Sequence, residues 1–223
     1  YLFQLFQMKI VGFVPIKLNS ERLPKKNIRR FRNGEVLINC ILQSLLQVSE
    51  LDKVFVYCSS AEIKNYLPEG VTYLERDVYY DRSDTSFNEV LQGFARQVEA
   101  DIYVLSHATA PFIKPESISD GINKVMNGNY DSAFAALQLQ EFFWKDGQPV
   151  NYDLSAIPRT QDLSPVYMET CGLYIYSRDM ILHKGRRIGL NPYLISVSKV
   201  EACDINTLED FEIADAIHEY FCL

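Results

Sequence analysis

Short apolar runs alternate with segments of helical periodicity along the first 137 residues of the chain. Runs with the length and composition of buried strands lie at 8–14, 53–58, 71–76, 101–106 and 131–137. Segments that repeat apolar residues at helical spacing lie between them, at 36–46, 61–66, 86–98 and 117–126. This alternation predicts a Rossmann-like α/β fold, with a mostly parallel sheet and helices on both faces. We expect Pro15 to end the pairing of the first strand.

The alternation of strand-like and helix-like segments ends after residue 137. Residues 138–170 are richer in turns and aromatic side chains and contain the single tryptophan, Trp144. This excursion is typical of a dimerisation arm or of a lid over its own subunit, and periodicity leaves both open. The chain returns to the sheet at 172–176 and ends in a helix at 205–220, capped by Asn206 or Thr207. The apolar residues expected to face the core from this helix are Leu208, Phe211, Ile213, Ala214 and Ile217.

Length and composition fit one domain. The 223 residues are 48% hydrophobic, enough for one large core, and we assign residues 8–223 to it. The formal net charge of -7 argues against a nucleic-acid partner. No apolar stretch reaches the ~18 residues of a membrane span. Residues 1–7 lack the features of a signal peptide, and we interpret them as an artificial leader before Met8.

The five cysteines are scattered and include no C-x-x-C pair. This pattern indicates reduced thiols in a cytoplasmic protein, not a disulfide framework or a zinc knuckle. Cys40 and Cys58 have apolar neighbours in the sequence, and we expect both to be core residues.

A cationic loop follows the first strand. Five cations and one anion, Glu21, lie between residues 17 and 29. The cations are Lys17, Arg22, Lys25, Lys26 and Arg29. Ligands of parallel sheets bind at the carboxyl ends of strands, so this loop is a candidate cradle for a triphosphate. A solvated surface loop is the alternative.

Four blocks of the sequence, in order, carry a family resemblance. They are Pro15 to Asn27 with its Leu-Pro and Lys-Asn pairs, Leu105 to Pro111, Arg159 to Leu163, and Asp204 to Phe211. The chain resembles the CMP-sugar synthetases, cytidylyltransferases that activate acylneuraminate-type and Kdo-type sugar acids. The resemblance implies Mg²⁺-dependent transfer of CMP from CTP to a nonulosonic (nine-carbon) or eight-carbon acid, with release of pyrophosphate, for surface glycan biosynthesis. It also implies a homodimer paired through residues 138–170.

The resemblance assigns roles to individual residues. The catalytic residues it implies are Lys17, Arg22, Lys26 and Asp204. The nucleotide-binding residues are Ile16, Lys17, Asn27, Arg76, His107 and Thr109. The sugar-binding residues are His107, Arg159, Gln161 and Tyr167, and the magnesium ligands are Asp204 and Asn206.

Four residues depart from the family pattern: Ile16 replaces alanine, Lys17 arginine, His107 glutamine, and Asn206 the second aspartate of Asp-x-Asp. Lysine keeps the charge of arginine but cannot form its bidentate fork. These departures leave open a degenerate nucleotide sensor, beside a CMP-Kdo-type or other nucleotidyltransferase. Arg76 can instead pair with Asp77 or Asp81. Asp204 and Asn206 can instead be a turn residue and a helix cap.

Overall fold

The computed structural model describes residues 8–19 and 23–221. Its strands are β1 (Ile10–Ile16), β2 (Lys53–Cys58), β3 (Val71–Glu75), β4 (Ile102–Ser106), β5 (Ser132–Leu139), β6 (Trp144–Lys145), β7 (Gln148–Pro149), β8 (Val166–Ser177) and β9 (Pro192–Ser196). Its α-helices are α1 (Leu37–Leu46), α2 (Phe87–Gln97), α3 (Pro115–Met126), α4 (Arg178–His183) and α5 (Leu208–Phe221). Short 3₁₀ helices lie at Lys26–Ile28, Ala61–Tyr66, Val78–Asp81 and Thr160–Asp162.

Seven strands form one sheet in the order β3-β2-β1-β4-β8-β5-β9. Neighbouring strands are parallel except at β8, which runs antiparallel between β4 and β5. The predicted mostly parallel α/β sheet is therefore confirmed. The sequence pattern identified only residues 172–176 of β8 and did not identify α4 or β9.

Helices cover both faces of the sheet, as predicted. Ile10 and Val14 of β1 pack in one apolar cluster with residues of α1 and α3. Val11 and Phe13 pack in a second cluster with residues of α2 and α4, where Phe13 stacks on Phe94 at 3.8 Å between ring centroids. Adjacent residues of one strand thus enter two different cores, because side chains alternate across a sheet.

The expectation that Pro15 ends the pairing of β1 is wrong. Pairing with β2 continues through Pro15 to Ile16, which lies opposite Cys58. Pairing with β4 stops earlier, at Phe13 opposite Leu105. Pro15 is tolerated because at this position β1 pairs with β2 on one side only, and its other edge has no ladder partner.

Helix α5 is capped by Thr207. Its hydroxyl accepts from the backbone N–H of Asp210 at 3.2 Å, and the Asp210 carboxylate accepts from the backbone N–H of Thr207 at 2.7 Å. Phe211 and Ala214 are buried as predicted. Leu208 and Ile213 are exposed, so the prediction for these two residues is wrong. Helix α5 packs against one apolar cluster, and it therefore buries a narrower stripe of residues than its apolar content suggests.

The excursion at 138–170 contains the β6–β7 hairpin and the start of β8. Its apolar side chains are largely exposed in the single chain, and those exposed most are Trp144, Val150, Leu154 and Ile157. Among the described residues, no helix has the length and apolar character needed to cross a membrane.

Candidate active site

The cationic loop folds back against the end of β1. The amide Nδ2 of Asn27 donates to the carbonyl oxygen of Lys17 at 3.1 Å. Lys26 is only 9% exposed, and its Nζ donates to the carbonyl oxygen of Ile205 at 2.7 Å. This bond joins the loop after β1 to the loop before α5. Lys26 and Asn27 are therefore not solvated surface residues, whereas Lys25 is exposed.

Arg76 is buried and pairs with Asp81, one of the two structural partners considered from the sequence. The hydroxyl of Ser59 also donates to the Asp81 carboxylate. Nζ of Lys17 donates to the backbone carbonyl oxygen of Asp81 at 3.4 Å. The Nε atom of Arg76 is buried without a hydrogen-bond partner among the described residues. Asp81 thus holds two cations at the ends of β1 and β3.

A cavity of about 280 Å³ opens beside this pair of cations. Its lining includes Ile16, Lys17, Arg76, Tyr80 and Phe87. With Arg82, three cations and two aromatic rings line this small cavity, and they suit a flat polar ring with an anionic substituent.

Asp204 and Asn206 lie together before α5. Nδ2 of Asn206 donates to Oδ2 of Asp204 at 2.6 Å, while the backbone N–H of Asn206 donates to Asp210 at 2.9 Å. Asn206 therefore contributes to the turn before the helix and also contacts Asp204. One carboxylate and one amide fit the small number of protein oxygens that Mg²⁺ takes, provided that phosphate and water supply the rest.

His107 follows β4 and faces the same region. Burial, together with the charges of Arg187 and Lys26, lowers the pKa of its imidazole to about 4, and the charge of Asp204 partly opposes this shift. The ring is therefore neutral near pH 7 and can donate one hydrogen bond and accept another. The carbonyl oxygen of Thr109 accepts from the backbone N–H of Ile205 at 2.8 Å, which ties the end of β4 to the Asp204 loop.

Arg187 is a candidate site residue that the sequence reasoning missed. Its guanidinium carbon lies 4.0 Å from the ring centroid of Tyr174, and Nη2 donates to the Tyr174 hydroxyl at 3.1 Å. Glu169 lies 3.7 Å from the same guanidinium. The side chain remains 25% exposed and its charge acts on His107. The adjacent arginines Arg186 and Arg187 were the available signal in the sequence, but the aromatic partner of Arg187, Tyr174, lies on strand β8.

The structure places the three remaining sugar-site candidates on the arm. Arg159 forms two hydrogen bonds with Asp162, at 2.7 and 3.1 Å. The carbonyl oxygen of Gln161 accepts from Gln140 at 3.5 Å, and the Tyr167 hydroxyl donates to Gln138 at 3.4 Å. All three side chains are exposed. Arg22 lies outside the described residues.

Comparison with known proteins identifies the family of the chain. A family model described as cytidylyltransferase matches residues 11–213. The chain belongs to the cytidylyltransferase family. This membership confirms the resemblance drawn from the four sequence blocks.

Two curated proteins are similar to this chain over most of its length. An N-acylneuraminate cytidylyltransferase A of Danio rerio is 23% identical over 206 residues, which cover 88% of this chain and 47% of the relative. The chain thus spans about half the length of that protein. A pseudaminic acid cytidylyltransferase of Campylobacter jejuni is 23% identical over 226 residues, which cover 95% of this chain and 97% of the relative.

The fold also matches a solved structure. A CMP:2-keto-3-deoxy-manno-octonic acid synthetase, solved with CTP, superposes with a TM-score of 0.69 at 15% identity. The match covers 95% of this chain and 99% of the synthetase. The α/β fold class predicted from the sequence is that of this synthetase.

Proposed function

We propose that this cytidylyltransferase transfers CMP from CTP to a nonulosonic acid and releases pyrophosphate, in the cytoplasm, for surface glycan biosynthesis. The observation that carries the proposal is the convergence of Lys26, His107 and Asp204 where β1, β4 and the loop before α5 meet. Family membership supplies the reaction type, and the pseudaminic acid relative, matched over nearly its whole length, supports the substrate class.

The nucleotide binds along the ends of β1 and β3. The cavity beside Ile16 and Arg76 receives the cytosine and ribose, and Asn27 fixes the loop that borders it. Lys17, Arg22 and Lys26 neutralise the triphosphate. A lysine in place of the family's arginine supplies a point charge, which suffices for phosphate neutralisation but not for a bidentate fork.

Asp204 and Asn206 would hold Mg²⁺ near the α-phosphate. Bound there, the ion would neutralise charge that develops on the phosphate oxygens during transfer. The hydroxyl of the sugar forms a new bond to the α-phosphorus as the bond from that phosphorus to pyrophosphate breaks. No covalent enzyme intermediate is required.

Arg187 and His107 contact the acid sugar. The partly exposed guanidinium group of Arg187 suits the sugar carboxylate, since a planar fork binds both oxygens of that group. Neutral His107 donates to or accepts from a sugar hydroxyl or the nucleotide, and Thr109 lies beside it.

The active enzyme is a homodimer paired through residues 138–170. Exposed apolar side chains of this arm support the pairing, because contiguous exposed apolar surface marks interfaces. Arg159, Gln161 and Tyr167 lie on the arm and, in a dimer, would complete the sugar pocket of the partner subunit.

Pyrophosphate release tests the proposal. The protein is assayed with Mg²⁺, each of the four nucleoside triphosphates, and a panel of N-acetylneuraminic, legionaminic, pseudaminic and ketodeoxynonulosonic acids and Kdo. We expect release only with CTP and a nine-carbon acid. Release with Kdo alone would identify the eight-carbon alternative. Binding of CTP without release on any acid would contradict the transferase and favour a nucleotide sensor.

A further inference from the structure

A second group of metal-ligating side chains lies away from Asp204. The side chains of Glu35, Cys40 and His218 each place one ligand atom within 4.8 Å of the other two. Glu35 precedes α1, Cys40 lies in α1, and His218 lies near the end of α5. His218 is 11 residues beyond Thr207, or roughly 16 Å along the helix axis. We propose that these three residues form a binding site for a zinc-class divalent transition metal.

The histidine is held in place before any ion binds. His218 is buried, and its ring stacks on Phe31 at 4.3 Å between centroids. Its Nε2 lies 2.9 Å from Oε2 of Glu35. The backbone of Glu35 is fixed as well, since its carbonyl oxygen accepts from the N–H of Phe31 at 2.9 Å. A rigid imidazole and a fixed loop lower the ordering cost of ligation.

The donor set selects the type of metal. Imidazole nitrogen, thiolate sulfur and carboxylate oxygen are the zinc ligands of proteins, with bonds of about 2.0–2.3 Å that place ligand atoms ~3.3–3.8 Å apart in a tetrahedron. The Glu35 side chain is 36% exposed and can withdraw from His218 by that small amount. The thiol releases one proton and the imidazole proton moves to Nδ1. A neutral His218, a thiolate and a carboxylate then balance the charge of a divalent ion.

A cavity leaves room for a fourth ligand. All three side chains line a cavity of about 690 Å³, which is also bordered by Pro111, Lys114 and Ser198. A metal ion that retains water or an exogenous ligand is typically held by three protein ligands, with one coordination position left open. The hard-oxygen pair Asp204 and Asn206 suits Mg²⁺, so the two sites prefer different ions.

Cobalt(II) spectroscopy tests the site. Chelator-treated protein is titrated with Co²⁺, which is expected to give the visible bands of a tetrahedral ion and a near-ultraviolet thiolate charge-transfer band at one equivalent, both removed by Zn²⁺. We expect Cys40→Ser to abolish the charge-transfer band and Glu35→Gln to weaken Co²⁺ binding at least tenfold. His218→Gln is also expected to weaken Co²⁺ binding at least tenfold. If that variant fails to fold, the variants of the half-buried residues Glu35 and Cys40 provide the test.

Controls separate this site from other thiols and from Asp204. Cys171→Ser removes an exposed thiol, and Asp204→Ala removes the proposed magnesium ligand; both should retain the band. Absence of a thiolate band in the unmodified protein, its persistence in Cys40→Ser, or its loss in either control would overturn the proposal. None of these outcomes depends on cytidylyltransferase activity.

Discussion

At the scale of single residues, Lys26 connects the two loops of the candidate site. Its Nζ donates to Ile205 and its charge acts on His107. We expect Lys26→Ala to reduce kcat/KM for CTP by roughly 100-fold, because a preorganised charge is lost where phosphate charge develops. Steady-state kinetics with varied CTP measures the loss, and circular dichroism checks that the fold is kept.

Lys25 provides the matched control for Lys26. It is the preceding lysine, it is exposed, and it belongs to the same loop. Lys25→Ala should change kcat/KM less than about twofold, since an exposed charge is screened by water and salt. Equal losses in the two variants would show that the loop acts only through its overall charge.

His107 predicts a pH dependence of stability. Its pKa is about 4 in the folded protein and ~6.5 in an unfolded chain. Between these values the unfolded chain binds a proton that the native protein does not, so native stability falls as pH drops through that window. We expect His107→Gln to remove this contribution. Urea unfolding at pH 7.5 and 5 should therefore show a larger loss for the unmodified protein, and parallel losses would refute the assignment.

Replacement of Asn206 by aspartate is expected to raise the affinity for Mg²⁺. In Asn206→Asp a carboxylate replaces the amide that lies 2.6 Å from Asp204. The two carboxylates repel without a cation and share it when one is bound. We expect the half-saturating Mg²⁺ concentration for pyrophosphate release to fall about tenfold, equivalent to ~1.4 kcal/mol, and the melting temperature in EDTA to fall. An unchanged Mg²⁺ titration would remove residue 206 from the metal site.

At the scale of elements, α5 shows how packing selects among similar residues. Phe211 is 5% exposed and stacks on Phe31, whereas Ile213 is 53% exposed. We expect Phe211→Ala to lower the free energy of unfolding by about 3 kcal/mol through lost burial and a cavity. Ile213→Ala, in the same helix, should change it by less than about 0.5 kcal/mol. Urea titration of both variants measures the difference, and similar losses would contradict the packing of α5.

At the scale of the whole molecule, the arm decides the assembly. Trp144 is 54% exposed and Ile157 65% exposed in the single chain. We expect a dimer in sedimentation velocity, and we expect the double variant Trp144→Glu with Ile157→Glu to be a monomer with a raised KM for the sugar. Charges placed in an apolar interface lose hydration without gaining a partner.

Leu190 supplies the control for the arm. It is 85% exposed but lies outside residues 138–170. Leu190→Glu should leave the sedimentation coefficient unchanged. A monomeric unmodified protein, or a double variant that remains dimeric, would argue for the other interpretation of the arm, as a lid over its own subunit.

Most strands that flank the site were predictable because each is a short apolar run with polar ends. β2 was predicted with its observed bounds, Lys53–Cys58. Of the candidate site residues, His107 directly follows strand β4, where the ligands of parallel sheets bind. Lys26 and Asp204 lie in loops, and they were named through the sequence blocks that carry the family resemblance. Arg187 was missed because its environment comes from Tyr174 and Glu169, which local periodicity cannot associate with it.

The sequence alone determined the α/β class, the candidate phosphate loop and the family resemblance, since alternating periodicity and short motifs depend on neighbours along the chain. Only the tertiary structure decided the direction of β8, the pairing of Arg76 with Asp81, and the meeting of Glu35, Cys40 and His218. The direction of β8 and the approach of His218 to Glu35 join elements that are distant in sequence. Arg76 and Asp81 are close in sequence, but their neighbourhood left a pairing and a ligand role equally open. Their geometry is set by how sheet and helices pack, which no local pattern encodes.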